Sequence, residues 1–338
     1  MFTGSRCEIT CYIISTGDIK VKPLTGTTRG EYRIIPFILL VFVVAGLLAA
    51  PVSASVSTHG HNMDLGKIDS LKNTVGSLNW GGYAAASSFS SPQAIVTNVS
   101  ASWVVQSAAK SNSATYSSQW TGIGGYFTSD SSLIQLGTES DYYRNAAHYY
   151  AWIEMLPASE QVVSLTVHPG DKIHTSITPA KAANSWVLTL TDITTGRSYS
   201  ATETYTSSKL SGEYVEERPE ICSPFSCSLT TLANFGTAYY GKDYTSQSGT
   251  NDLIVNGVNE NLGSVPYQNI IMYANNGKTQ IAAPSVLSSD GTSFTMTYLS
   301  GTSGATNGVP QYGSERYGYN GNSSTINDAP GPFDHRMH

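Results

Sequence analysis

Charge is what this sequence lacks most. Asp, Glu, Lys and Arg make up 12% of its 338 residues, against roughly 25% in an average protein. From Ser55 onward thirteen basic residues stand against twenty-one acidic ones, a net of −8. No basic patch is left to follow a phosphate backbone, which excludes a nucleic-acid partner. Helical periodicity is missing too: no helix of more than two turns can be read in the mature region. The common hydrolase signatures are absent, with no G-x-S-x-G, no H-E-x-x-H, and no Asp-Thr-Gly or Asp-Ser-Gly pair. Asp290-Gly291 lies in a hairpin turn and has no matching partner. Seven histidines show no ligand spacing except His59-x-His61, so neither a metal nor a cofactor is expected. Cysteine is scarce. Cys7 and Cys11 fall in a leader, and Cys222 and Cys227 remain, spaced to form one disulfide that pins a loop.

Long apolar runs are also rare, and the exception is informative. Ile34 to Ala50 is apolar, is preceded by Arg29 and Arg33, and is followed by Pro51-Val52-Ser53-Ala54. This is a charged, apolar, small-residue order of the kind a secretory signal carries. A retained N-terminal anchor is the alternative. The chain divides into a leader (1–54), a propeptide or linker (55–74), a folded domain (75–300) and a disordered Gly, Ser, Asn and Tyr-rich tail (301–338). The expected product is a secreted monomer with no membrane attachment once the signal is removed.

What fills the gap left by charge is Tyr, Ser, Thr, Gly and Asn, the palette of strands and turns. A surface made polar by hydroxyls and amides has few acid–base pairs to lose in acid. Val163, Leu165 and Val167 alternate with Ser164 and Thr166; His168-Pro169-Gly170-Asp171 turns; Ile173, Thr175 and Ile177 alternate again. Ala94–Val105, Gln119–Ile123, Leu133–Gly137, Tyr149–Met155, Trp186–Leu190, Ser198–Thr204, Leu232–Tyr240 and Phe294–Tyr298 also read as strands. Gly81-Gly82 after Trp80 marks a strand approached closely, or a bulge. The fold class is all-β: a large two-sheet antiparallel β-sandwich with a concave face.

Isolated polar residues on aromatic strands are the candidates for chemistry. Gln135 sits between Ile134 and Leu136, and Glu154 between Ile153 and Met155. Glu139, Glu213, Glu216, Glu217 and Glu220 complete the set. Glu154 with Glu213 fits two-carboxylate sugar chemistry, and a lectin-like module fits the aromatics without using the acids. An acidic cluster such as 213, 216 and 217 is ordinarily a solvated face.

Taken together, the motifs resemble the glutamic peptidases, or eqolisins, over roughly residues 79–300. Asn79-Trp80-Gly81-Gly82 looks like that family's N-W-G-G, and Trp120 to Gly125 like its W-x-G-I-D-G. Leu133-Ile134-Gln135-Leu136-Gly137 resembles I-L-Q-x-G, and Ala151 to Pro157 resembles A-W-Y-E-W-Y-P. Gly170-Asp171 and Thr194-Thr195-Gly196 match turns that follow. Glu213 to Glu217 is similar to E-W-I-V-E, and Asn234-Phe235-Gly236 to D-F-G. The resemblance implies a concanavalin A-like jelly roll and an acid-active endopeptidase of polypeptide substrates. It implies Gln135 and Glu213 as the catalytic pair, with Trp80, Trp120, Trp152 and Glu154 toward substrate and Glu139 and Glu217 as support. The departures are Gly124 for Asp, Tyr214 for Trp, Glu139 for Asp and Met155 for Trp.

In that chemistry an ionised Glu213 takes a proton from water and returns it to the leaving amine. The Gln135 amide, with two N–H donors and one acceptor, orients the water and stabilises the oxyanion. No metal and no covalent intermediate enter.

Overall fold

The computed structural model describes residues 58–60, 73–223 and 226–300. The leader with Cys7 and Cys11, most of the 55–74 segment, and the 301–338 tail lie outside the described residues. Among those described, the secondary structure is strands plus one helical turn, Lys242–Thr245, and one 3-10 turn, Leu262–Ser264. No helix there is long and apolar enough to cross a membrane.

One sheet runs Gln161–Val162, Ala146–Met155, Ile134–Tyr143, Ser118–Ile123, Ser211–Glu217, Trp80–Ala86 and Tyr267–Tyr273, antiparallel throughout. Thr74–Ser77 adds a parallel strand beside Tyr267–Tyr273. The second sheet runs Gln280–Pro284, Ser293–Tyr298, Thr237–Gly241, Val96–Val104, Lys172–Pro179, Ser185–Asp192 and Arg197–Thr204. The hairpin Asp252–Val255 and Val258–Asn261 also pairs onto Val96–Val104. The sheets meet where Tyr267–Tyr273 pairs with Gln280–Pro284 across a register shift. The ladder keeps free edges at Gln161–Val162 and Arg197–Thr204, so this is an antiparallel β-sandwich joined along one side, not a closed barrel.

Side chains alternate across each strand, and here both faces of the first sheet are covered. Inward, Tyr83, Ile123, Leu136, Ile153 and Tyr214 pack on Val99, Trp103, Ile177, Leu188, Tyr240 and Phe294 of the second sheet. Outward, Trp80, Ala84, Trp120, Trp152, Val215 and Ile270 form a separate apolar cluster, joined by Tyr126, Phe89 and Phe127 from loops. The expected close approach at the first glycine pair is real. Gly82 has φ +125°, and a Cβ there would fall 2.3 Å from the Tyr214 carbonyl oxygen.

Two strand expectations are corrected. Val163–Val167 is not a strand, although Leu165 and Val167 are buried and Ser164 and Thr166 exposed as the alternation demands. One-sided burial produces that alternation whether or not a neighbouring strand is there to complete a ladder. The strand read from Leu232 begins only at Thr237, because Asn234 turns the chain by accepting from the Gly236 N–H at 3.0 Å. Conversely, Ile134–Tyr143 and Ala146–Met155 extend well beyond the stretches read as strands. The disulfide Cys222–Cys227 is present and ties Glu220–Ser223 to Ser226–Leu229. Thr58–Gly60 pairs with the first of these strands.

Candidate active site

Register builds the site. Gln268, Ala84, Glu213, Gly122, Gln135 and Glu154 stand opposite one another on successive strands, in one row across the sheet. The next row is Gly82, Val215, Trp120, Gly137 and Trp152, and the third is Trp80, Glu217, Ser118, Glu139 and Tyr150. Residues distant in sequence therefore share the outward face. Gly122 alone separates Glu213 from Gln135, whose strands are two ladder spacings or about 9.5 Å apart.

Glu213 and Gln135 are fully buried. The Gln135 Nε2 amide donates to Glu154 Oε2 at 2.6 Å. Among the described residues, Gln135 Oε1 and both Glu213 carboxyl oxygens have no hydrogen-bond partner. Ser211 Oγ stands beside Glu213 without reaching hydrogen-bond geometry. Burial pushes the Glu213 carboxyl well above the usual carboxylate range; Ser211 works against that shift and the charge of Asp130 adds to it. Tyr126, whose hydroxyl donates to Gln268 Oε1, roofs this end of the row. Its own hydroxyl is pushed up by burial and by the nearby Glu213.

Glu217 organises the third row. Its Oε1 accepts from Asn79 Nδ2 at 3.1 Å and Trp80 Nε1 at 3.2 Å, and its Oε2 accepts from Trp120 Nε1 at 2.6 Å. Trp80 and Trp120 meet edge to face with ring centroids 4.8 Å apart. Both indoles, with Trp152, are fully buried on the face that carries Gln135 and Glu213. Glu139 sits on the same face beside Tyr150.

Glu216 belongs elsewhere. It points between the sheets, where Gln106 Nε2 donates to its Oε1 at 2.7 Å. The Tyr240 hydroxyl lies 2.9 Å from the Val215 carbonyl and 3.1 Å from Glu216 Oε2. The single Tyr240 hydroxyl proton serves these two acceptors. Burial pushes Glu216 well above the usual range, Gln106 and Tyr240 temper this, and Glu217 raises it further. The three acids 213, 216 and 217 are all fully buried rather than a solvated face. Glu220 lies near both cysteine sulfurs, but those sulfurs are joined in the disulfide and make no thiolate ligands.

Known proteins bear on this arrangement. The profile of the Peptidase A4 family matches residues 78–298. The chain belongs to the Peptidase A4 family. This A4 peptidase is thus a peptide-bond hydrolase of the glutamic class, acting on polypeptides, and the sugar-hydrolase and lectin readings fall away. Its fold is similar to that of scytalido-glutamic peptidase solved with a transition state analog inhibitor, at 24% identity and a TM-score of 0.53. It is also similar to SCP-B, a member of the Eqolisin family of peptidases solved in complex with the tripeptide Ala-Ile-His, at 26% identity and a TM-score of 0.51. Each alignment covers 65% of this chain and 98% of the other. No curated protein matches the peptidase.

Sequence reasoning missed Tyr126, Gln106, Tyr240 and Asp130. Asp130 and Tyr126 lie in a loop of no regular pattern. Gln106 and Tyr240 are ordinary residues until the fold brings them to Glu216. Asn79 was readable only as part of Asn79-Trp80-Gly81-Gly82.

Proposed function

We propose that the peptidase cleaves polypeptides with Glu213 as base and Gln135 as oxyanion donor, working in acid and secreted. The observation that carries this is the shared row: two buried polar side chains face the same space across Gly122, with three acceptor oxygens unengaged by described residues. A water between them loses a proton to ionised Glu213 as its oxygen attacks the scissile carbonyl carbon. The negative charge that develops on the carbonyl oxygen is met by the Gln135 N–H not given to Glu154. A donor in that place is worth about 2.7–4 kcal/mol. Glu213 then returns the proton to the amine nitrogen as the C–N bond breaks. Trp80, Trp120 and Trp152 form the apolar floor near which the peptide lies, with Glu139 and Glu217 holding that floor. The apolar leader and the disulfide favour secretion.

The working pH follows from Glu213. Because burial raises it, the ascending limb of kcat/KM is expected above the ~4.3 of a solvated glutamate. The test is proteolysis of an unstructured protein between acid and neutral pH, with Glu213→Gln and Gln135→Ala alongside. Full activity in either folded variant removes the assignment.

A further inference from the structure

Gly124 is the position where the sequence offers no acid, and the structure fills the space beside it with another residue. The Gly124 N–H donates to the Ser211 carbonyl at 3.0 Å, which places it one rung from Glu213 on the same sheet. Such a step of two residues is about 6.4–6.8 Å along a strand. Gly124 has φ +91°, and a Cβ there would lie 3.2 Å from Asp130 Oδ2, 3.0 Å from Ser208 Oγ and 2.5 Å from the Ser132 carbonyl. Asp130 therefore brings its carboxylate to this spot from across the loop. Donors alone converge on it: the Gly125 N–H at 2.9 Å, the Ser132 N–H at 2.9 Å and hydroxyl at 2.8 Å, and the Ser208 hydroxyl. Ser208 in turn belongs to the segment that leads into the Ser211–Glu217 strand, and its N–H donates to Ser132 Oγ at 2.8 Å.

We infer that Asp130 is a positioning residue for the reaction: it pins the roof loop to the entry of the Glu213 strand and holds a second carboxylate one rung from Glu213. The inference rests on Glu213 being the base. Other groups face the same space. Tyr126 comes from the roof loop, Gln135 and Glu154 from the neighbouring strands, and Ser211 and Glu217 from the same strand as Glu213. The Tyr205 hydroxyl accepts from the Leu133 N–H at 2.8 Å and donates to the Leu156 carbonyl at 2.9 Å. Among these Asp130 is the carboxylate held by four donors on the loop beside Gly124. Its charge is also among the causes that raise Glu213.

The experiment pairs a kcat/KM profile against pH with carboxyl carbon NMR titration of the full chain, the Glu213 signal being identified by its loss in Glu213→Gln. In Asp130→Asn, the ascending limb and the Glu213 midpoint should both move about one pH unit toward acid. Asp130→Glu, which keeps the charge, should leave both near wild type. An unmoved Glu213 midpoint in folded Asp130→Asn overturns the inference. Should that variant not fold, Asp130→Ser, which keeps an acceptor for the loop donors and removes the charge, is titrated in its place, and an unmoved Glu213 midpoint there overturns the proposal. Retained activity in Glu213→Gln would instead remove the base assignment, and leaves the NMR coupling measurable by itself.

Discussion

Glu213 and Gln135 face each other across a glycine. A Cβ at Gly122 would lie 2.9 Å from Leu133 Cδ1, 3.1 Å from Gln135 Cβ and 3.1 Å from the Ile134 carbonyl. The ground between the pair is therefore close-packed, and it has no room for a side chain at Gly122. Gly122→Ala is expected to push Gln135 out of line, costing about 1–3 kcal/mol of stability and roughly 10²-fold in kcat/KM. Thermal unfolding and peptide kinetics on the purified variant check both. Wild-type kcat/KM in a folded variant would show that this close packing plays no part.

Glu154 fixes which way the Gln135 amide points, because a carboxylate accepts from Nε2 and has nothing to give Oε1. Glu154→Gln can pair with the amide in either orientation. Its kcat is expected to fall about tenfold, one lost charge-assisted bond being worth about 1.5–3 kcal/mol, with KM little changed. A change in KM alone would assign Glu154 to substrate binding instead.

Glu217 serves three N–H donors from Asn79, Trp80 and Trp120. Glu217→Ala strands these groups in an apolar cluster, and the cost is expected to be at least about 3 kcal/mol. Glu217→Gln retains one acceptor and should cost less. Urea midpoints rank the two variants, and near-ultraviolet circular dichroism reports whether the indoles have moved. Equal midpoints for wild type and Glu217→Ala would exclude the clamp.

Glu216 gives the fold a pH dependence whose sign is fixed. Its folded-state pKa is raised above the unfolded value by burial. Its contribution is therefore complete below the unfolded value of ~4.3 and is lost as pH rises through the raised folded value. Stability should fall from acid toward neutrality, and Glu216→Gln, neutral at every pH, should flatten that decline. Urea titrations at stepped pH make the comparison. An equally steep decline in the variant would place the sensitive group elsewhere.

The sheet architecture was legible because alternation in Lys172–Pro179 and Ser185–Asp192 reports burial directly. The same signal misled at Val163–Val167, where Leu165 and Val167 are buried but the bond from the Val163 N–H to the Ala151 carbonyl extends into no ladder. In the candidate site, motif order singled out Gln135 and Glu213 for the proposal, and the period of two explains why Glu217 joins Glu213 on one face while Glu216 turns inward. Asp130 was out of reach, because its role depends on a loop folding back over Gly124. The surroundings of Glu216 were hidden for a similar reason, since Gln106 and Tyr240 lie 110 and 24 residues away along the chain.

The cross-sheet row has one more consequence. Gln268, Glu213, Gln135 and Glu154 meet only if each ladder between them holds its register. A slip of one residue in a single strand would turn its polar group to the opposite face. Strand content would survive such a slip, and the infrared signature of the sheet with it. Turnover by the proposed Glu213 and Gln135 pair would not, so activity would serve as a register gauge, separating correctly paired molecules from well-ordered mispaired ones during refolding.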